Sequence, residues 1–327
     1  MSADWRHVPA RFEAFLAWLQ PTPEERRWAS AGVKAVAEVV RHSLKTDGDR
    51  LKEAIADPLV VGGFGKGTAI RDSGTVDTLL ILPPRSRQLG RGSGQGTAAG
   101  HSAPASFGPA LARDLASHFG TVGGCNESWL ALSTGPRMQT KLVPAYACRS
   151  GGYLVANRRR TLGGGPWRLM QPRLEVRHLD HADAISGGKA RHLIQMAKVW
   201  RRTSGAPIAP FAIELLVCEF LSAWLYRRRG LVFYDWLVRD FFFWLTAQTG
   251  VDLPIPGGGE TLNTGTGWRR HAERAYRLAA LAADLERDNR GSESLFCWSL
   301  VFGGEFLMAS QQQVRGRAAL VCSSGSR

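Results

Sequence analysis

The sequence predicts an α+β chain in two parts, a mixed-sheet N-terminal lobe followed by a helical C-terminal lobe. Three observations predict it. Short apolar runs bounded by Gly and Pro alternate with helical stretches up to about residue 182. From Asp183 onward, apolar residues recur at helical spacing with no strand pattern. The chain has 327 residues without internal repeat, a length that accommodates two domains, and its 44% apolar content with 14 Phe and 11 Trp fills a core and excludes wholesale disorder. The domains read as 1–182 and 183–310, with 311–327 a disordered tail.

The N-terminal part reads helical. Thr22 caps a helix, Pro23 takes its first position, and Glu24 and Glu25 face the positive end of the helix dipole. Val33, Val36, Ala37, Val40 and Leu44 then form its apolar stripe, and a second short helical segment ends before Pro58. A strand, Leu59–Val61, runs straight into Gly62-Gly63-Phe64-Gly65-Lys66-Gly67-Thr68, which reads as a turn. A second strand, Val76–Leu82, stops at Pro83-Pro84. From Pro83 to Gly108 the chain has almost nothing to bury, the composition of a mobile loop. A helix at Pro109–Phe119 precedes strands at Ser128–Thr134, Gln139–Ala147 and, more weakly, Tyr153–Ala156. Helices follow at Ala190–Trp200, Pro210–Arg227, Phe233–Thr249 and Trp268–Arg287.

Five cysteines are scattered, odd in number and never in a CxxC, so neither a disulfide framework nor a Cys/His zinc cluster is expected. No apolar run reaches the roughly 18 residues of a membrane helix, and the N-terminus lacks the order of a signal peptide. The expectation is a cytoplasmic protein with no membrane partner.

The formal net charge is +14, and it is unevenly spread. Between Arg149 and Arg202 twelve Lys/Arg stand against three acids, among them Arg158-Arg159-Arg160, Arg201 and Arg202. Such a field attracts phosphates on nucleotides or nucleic acid, while a solvated basic face is the alternative reading. The five arginines are the nucleic-acid candidates.

A glycine-rich segment directly after a strand suggests backbone amides opened toward an anion. It is not a P-loop, because Gly67 separates Lys66 from Thr68. The whole run GGFGKGTAIRDSGTVDTLLIL instead resembles the signature of DNA polymerase β-like nucleotidyltransferases, in their cGAS/DncV-like (CD-NTase) and oligoadenylate synthase branch. Lys141-Leu142-Val143-Pro144-Ala145 resembles that family's central strand. Arg191-His192-Leu193-Ile194 with Lys198-Val199-Trp200 resembles its helix with a phosphate-binding lysine. Phe211 with Glu214-Leu215 and the closing Trp298…Val301-Phe302-Gly303 also fit, so the matches span about residues 30–307. The resemblance implies a bilobal fold with a long spine helix near Thr22–Leu44. It also implies nucleotide or phosphate contacts at Gly62, Gly63, Lys66, Thr68 and Lys198, and a setting in antiviral defence.

In the catalytic positions the sequence departs from that pattern. The family holds two divalent cations with three carboxylates, two of them at i and i+2 on one strand. Carried over, the first acid falls on Thr75, the second on Asp77 and the third on Lys141, so Asp77 is the sole retained acid. The nucleotide-contacting serine is replaced by Gly63. Asp77 has two readings, a remnant of the catalytic set or a structural residue paired with Lys141. Lys66 likewise reads as a phosphate contact or as a solvated turn residue.

The expectation is a pseudoenzyme without cofactor or metal, binding a nucleotide, oligonucleotide, nucleic acid or protein partner. The alternative is an active enzyme making a linear or cyclic oligonucleotide, with Mg²⁺, through an altered site. An Asp77–Lys141 ion pair is expected, so that Lys141→Ala destabilises the fold by about 3–5 kcal/mol if the pair is fully buried, and by less in a wet cleft.

Overall fold

The computed structural model describes residues 7–45, 58–82, 109–124, 129–148, 151–156, 167–257 and 259–311. The segment before Pro58, the loop 83–108 and the tail beyond 311 lie outside these described residues. The chain forms two compact units, residues 21–175, and residues 176–327 together with 1–20.

The first unit is built on α2 (Pro23–Lys45), whose start is a capping box. Glu25 N–H donates to Thr22 Oγ1 at 3.1 Å, and Thr22 N–H donates back to Glu25 Oε2 at 2.6 Å. The other oxygen, Glu25 Oε1, accepts the Asp72 amide at 2.7 Å, so the capping acid also pins the turn ahead of the second strand. That strand, β2 (Thr75–Leu82), pairs antiparallel with β1 (Leu59–Val61) and parallel with β5 (Met138–Ala147). The sheet continues through β4 (Leu130–Gly135) to β3 (Thr121–Gly124), while β6 (Tyr153–Ala156) and β7 (Trp167–Met170) extend from β5. The helices α2 and α4 (Pro109–Phe119) share a core with it, where Val36, Val40, Leu111 and Leu115 meet Leu80, Leu132 and Leu142. A second cluster joins Val61, Leu79, Ala145 and Val155.

Three features of this unit differ from the sequence reading. Gly62–Lys66 is not an open turn but a single helical turn, α3, closed by Gly67 at φ +68°. Gly63 C=O accepts both the Thr68 and Ala69 amides, at 2.8 and 2.9 Å, which closes the turn onto the residues that follow it. The strands β3 and β7 are additional to those the sequence predicts, β3 because Thr-Val-Gly-Gly has the composition of a turn.

The second unit holds α1 (Val8–Leu19), α6 (Lys189–Ser204), α7 (Pro210–Ala223), α8 (Tyr234–Leu245), α9 (Arg269–Arg287) and α10 (Gly291–Phe302), with a small hairpin β8–β9 (Asp252–Pro254, Thr261–Asn263). The helix α5 (Pro172–Ser186) begins at the close of the first unit and continues into this one, so the division falls at 175/176, inside a helix. A reading of composition places it at 182/183 because it looks for a break in pattern. It also groups the first twenty residues with the sheet. They go with the helices because Phe12 and Phe15 pack edge-on against Trp298 and Phe306 at 5.2 and 4.8 Å.

Candidate functional site

The site is assembled by strand register. In the parallel pair β2–β5, Thr75 lies opposite Gln139 and Asp77 opposite Lys141. Residues two apart on a strand share a face, and Val76, Thr78, Thr140 and Leu142 between them are buried. Thr75, Asp77, Gln139 and Lys141 therefore form one polar patch on the same face. Lys141 Nζ stands 3.8 Å from Asp77 Oδ1, with 36% and 42% of the two side chains exposed. The ammonium also lies 5.2 Å from the Trp129 ring, a cation–π contact.

Gly62 fits against this pair from the neighbouring element. It adopts φ +62°, and a Cβ there would come within 2.6 Å of Asp77 Oδ2. Glycine is required twice over, by conformation and by space. At Gly65 a Cβ would meet Val60 O at 2.6 Å, so its absence lets α3 fold back directly on β1.

The lysine of this segment is placed otherwise than expected. Lys66 is buried, and its Nζ lies 2.6 Å from Glu175 Oε2, with both side chains under a tenth exposed. It is not a solvated turn residue; it ties α3 to the start of α5. Thr68 is fully buried as well. In the helical unit, Lys198 has the same arrangement, 2.8 Å from Glu214 Oε1 on α7 and 12% exposed. Both lysines carry carboxylate partners, so phosphate contact by either requires competition with a glutamate.

Of the nucleic-acid candidates, Arg158, Arg159 and Arg160 lie outside the described residues. Arg201 Nε donates to Ile208 O at 2.6 Å, and Arg202 Nη2 lies 2.8 Å from Glu305 Oε1. Arg191 is held by Asp180 and Asp183 at 2.5 and 2.6 Å. In the described part of the basic segment, Arg191, Lys198 and Arg202 are thus paired with carboxylates of the chain.

Sequence reasoning missed two participants. Glu175 is one acid in a basic segment, and nothing in its spacing marks it as the partner of Lys66. Arg137, at φ +59° in the β4–β5 connection, lines a polar pocket of about 290 Å³ with Ser73, Thr75, Ser133 and Gln139. The Gly-Pro-Arg turn that presents it is legible in the sequence, but its proximity to Thr75 is not.

Divalent cations need several oxygen ligands, mostly anionic. Here one carboxylate, Asp77, faces the patch with an ammonium 3.8 Å away, and the neighbouring positions are Thr75 and Gln139. Among the described residues no group of three His, Cys, Asp or Glu is placed to hold a metal. The donor set does not fit a pair of cations.

No family model matches the sequence. Over most of its length the chain superposes on the cyclic AMP-GMP synthase DncV of Vibrio cholerae, with a TM-score of 0.64, 13% identity, and 93% and 96% of the two chains covered. CdnC of E. coli MS115-1, in its structure with ATP, gives a TM-score of 0.58 at 15% identity over 91% and 98%. The chain has the CD-NTase fold. The c-di-GMP synthase CdnE of Capnocytophaga granulosa shares it at a TM-score of 0.53 and 13% identity, over 85% of each chain. In sequence, a probable cyclic nucleotide synthase of Bacillus cereus (strain VD146) is 24% identical over 173 residues, half of this chain and half the length of that relative. On this fold the mixed sheet carries the Asp77 patch, and the helical unit carries Lys198. Among the described residues no helix is long and apolar enough to cross a membrane.

Proposed function

We propose that the chain is a catalytically degenerate nucleotidyltransferase that has kept the fold and binds a phosphate-bearing ligand without metal-assisted transfer, as a binding or regulatory component of an antiviral defence system. The observation that carries it is Lys141, whose ammonium sits beside the one acid of the patch. Like charges about 4 Å apart at an effective dielectric of 20 repel by about 4 kcal/mol, and a divalent ion doubles that. Lys141 thus supplies the counter-charge for Asp77 and opposes a cation in the same place. A nucleotide, an oligonucleotide or nucleic acid suits the remaining polar groups, with Arg137 the exposed cation at the pocket beside Thr75. Structures of the relatives include CdnC with ATP and DncV with ATP and GTP, which supports a nucleotide ligand, and a CdnC complex with a HORMA protein, which supports a protein partner.

The names of the relatives favour a second reading, an active synthase of a cyclic or linear oligonucleotide. Incubation with all four NTPs and Mg²⁺ or Mn²⁺, with and without nucleic acid, separates the two. The first reading expects no product. Product that disappears on Asp77→Asn would establish the second.

A further inference from the structure

The helical unit holds a cavity of about 390 Å³ that shares no residue with the Asp77 patch. Its lining includes Gly187 from the turn between α5 and α6, Lys189 and His192 from the first turn of α6, Tyr234 from the start of α8, and Glu13 from α1. Two side chains, Lys189 and His192, give this cavity its positive and donor character, and Glu13 is the exposed acid on its lining.

Lys189 is the first residue of α6 and is 3% exposed. Its Nζ donates to Ser186 O at 2.9 Å and lies 5.9 Å from the Tyr234 ring centroid. An ammonium has three protons to place, and among the described residues no carboxylate lies within ion-pair distance of this one. The carboxylate nearby in sequence, Asp183, is engaged elsewhere: Oδ1 accepts the Arg191 amide and Oδ2 accepts Arg191 Nη1. A cation at a helix N-terminus also opposes the helix dipole; Gly188 has no side chain to cap this terminus, and the Asp183 carboxylate caps it instead through the Arg191 amide. Burial lowers the affinity of Lys189 for its proton.

His192 adds a directed donor. Its Nδ1 lies 2.7 Å from Tyr234 Oη. Burial, the larger effect, keeps the imidazole below its usual pKa despite Asp183, and burial raises that of the phenol. In the tautomer in which the phenol donates to Nδ1, the ring proton sits on Nε2. Nε2 has no hydrogen-bond partner among the described residues.

A buried ammonium that gives one of its three protons to Ser186 O, and an imidazole beside it on the same cavity, are jointly satisfied by one thing, an anion. We propose that this cavity binds a small-molecule anion, with its carboxylate or phosphate against Lys189 Nζ and His192 Nε2, and with exposed Glu13 accepting a hydrogen-bond donor on the ligand's outer end. The volume suits a metabolite-sized ligand, and the proposal is independent of whether the Asp77 patch is catalytic.

Isothermal titration of the full chain with inorganic phosphate, and separately with succinate, in about 0.15 M salt tests it. Saturable binding of one equivalent is expected for at least one probe; phosphate alone indicates a phosphoester ligand and succinate alone a carboxylate. Lys189→Met and His192→Gln should each weaken binding by at least about tenfold, as loss of a charge-assisted contact does, while Lys34→Ala on α2 should leave it unchanged. Thermal melting of both variants checks folding, and if Lys189→Met does not fold, His192→Gln carries the test. Failure of both probes to bind, or binding that folded Lys189→Met and His192→Gln retain, overturns the proposal. Equal weakening by Lys34→Ala overturns it too, because the anion would then be reading the general basic surface.

Discussion

Gly62 and Asp77 constrain each other at the scale of single atoms. The carboxylate can sit where it does only because residue 62 lacks a Cβ and accepts φ +62°. Gly62→Ala should therefore destabilise the chain by more than about 1 kcal/mol in urea unfolding, combining strain at positive φ with the clash. Adding Asp77→Ala should relieve the clash and leave the strain. Lys141→Ala should be mild. With the pair some two-fifths exposed, it behaves as a surface ion pair worth about 0–1 kcal/mol, well below the range for a buried one. The same register yields a gain-of-function test. Thr75→Asp with Lys141→Asp places three carboxylates on one face, and Mn²⁺ titration should detect a new site in the double variant and none in either single one. Metal binding by the unaltered chain at Asp77 would show that the counter-charge argument is wrong.

At the scale of elements, the two lysines expected to meet phosphate each join two elements together. Lys66 bridges α3 to the start of α5, and Lys198 bridges α6 to α7. Removing one partner of a buried pair strands the other, so Lys66→Met should cost about 3–5 kcal/mol, whereas Lys66→Met with Glu175→Leu should recover most of it. A cost under about 1 kcal/mol for the single variant, the range of exposed pairs, would mean that the pair is solvated in solution. These elements also show what the sequence could and could not reveal. The Thr22 cap, strands β1, β2 and β5, and helices α2, α4, α6, α7, α8 and α9 were legible because caps, alternation and helical spacing are local, whereas α5 was not read as a helix. The facing of Asp77 and Lys141 was legible because their strands could be aligned to a known pattern. The partners Glu175 and Arg137 were not, because the contacts that define them span 109 and 62 positions of sequence and leave no local trace. Nor was the closure of Gly62–Lys66 into a helix, since the same glycines serve an open anion loop or a tight helical turn.

At the scale of the whole molecule, the protonation of one buried acid feeds into the pH dependence of stability. Asp235, on α8, is fully buried. Its Oδ1 accepts the Trp236 amide at 2.8 Å, and Oδ2 has no partner among the described residues. Burial is the main cause that pushes its carboxyl up to about 7, against the opposing pull of that amide and of Arg239. The folded chain therefore keeps a proton on Asp235 that the unfolded chain releases near pH 4. Between those values the native state binds more protons than the unfolded one, so this group's contribution is complete below about pH 4 and is lost as pH rises toward 7. His178 and His192 act in the opposite sense, since burial holds both below the usual imidazole value and stability from them falls as pH drops below about 6.5. The raw profile is thus a sum of opposing slopes, and the informative quantity is the difference between the chain and Asp235→Asn, which cannot ionise. Denaturant unfolding of both from pH 4 to 8 should show the variant gaining relative stability up to about pH 7 and levelling off above it. The total should be several kcal/mol, because each tenfold difference in proton affinity between the folded and unfolded chain is worth about 1.4 kcal/mol. A difference that stays flat across that range would mean that Asp235 is ionised when folded, and that water or a cation reaches Oδ2.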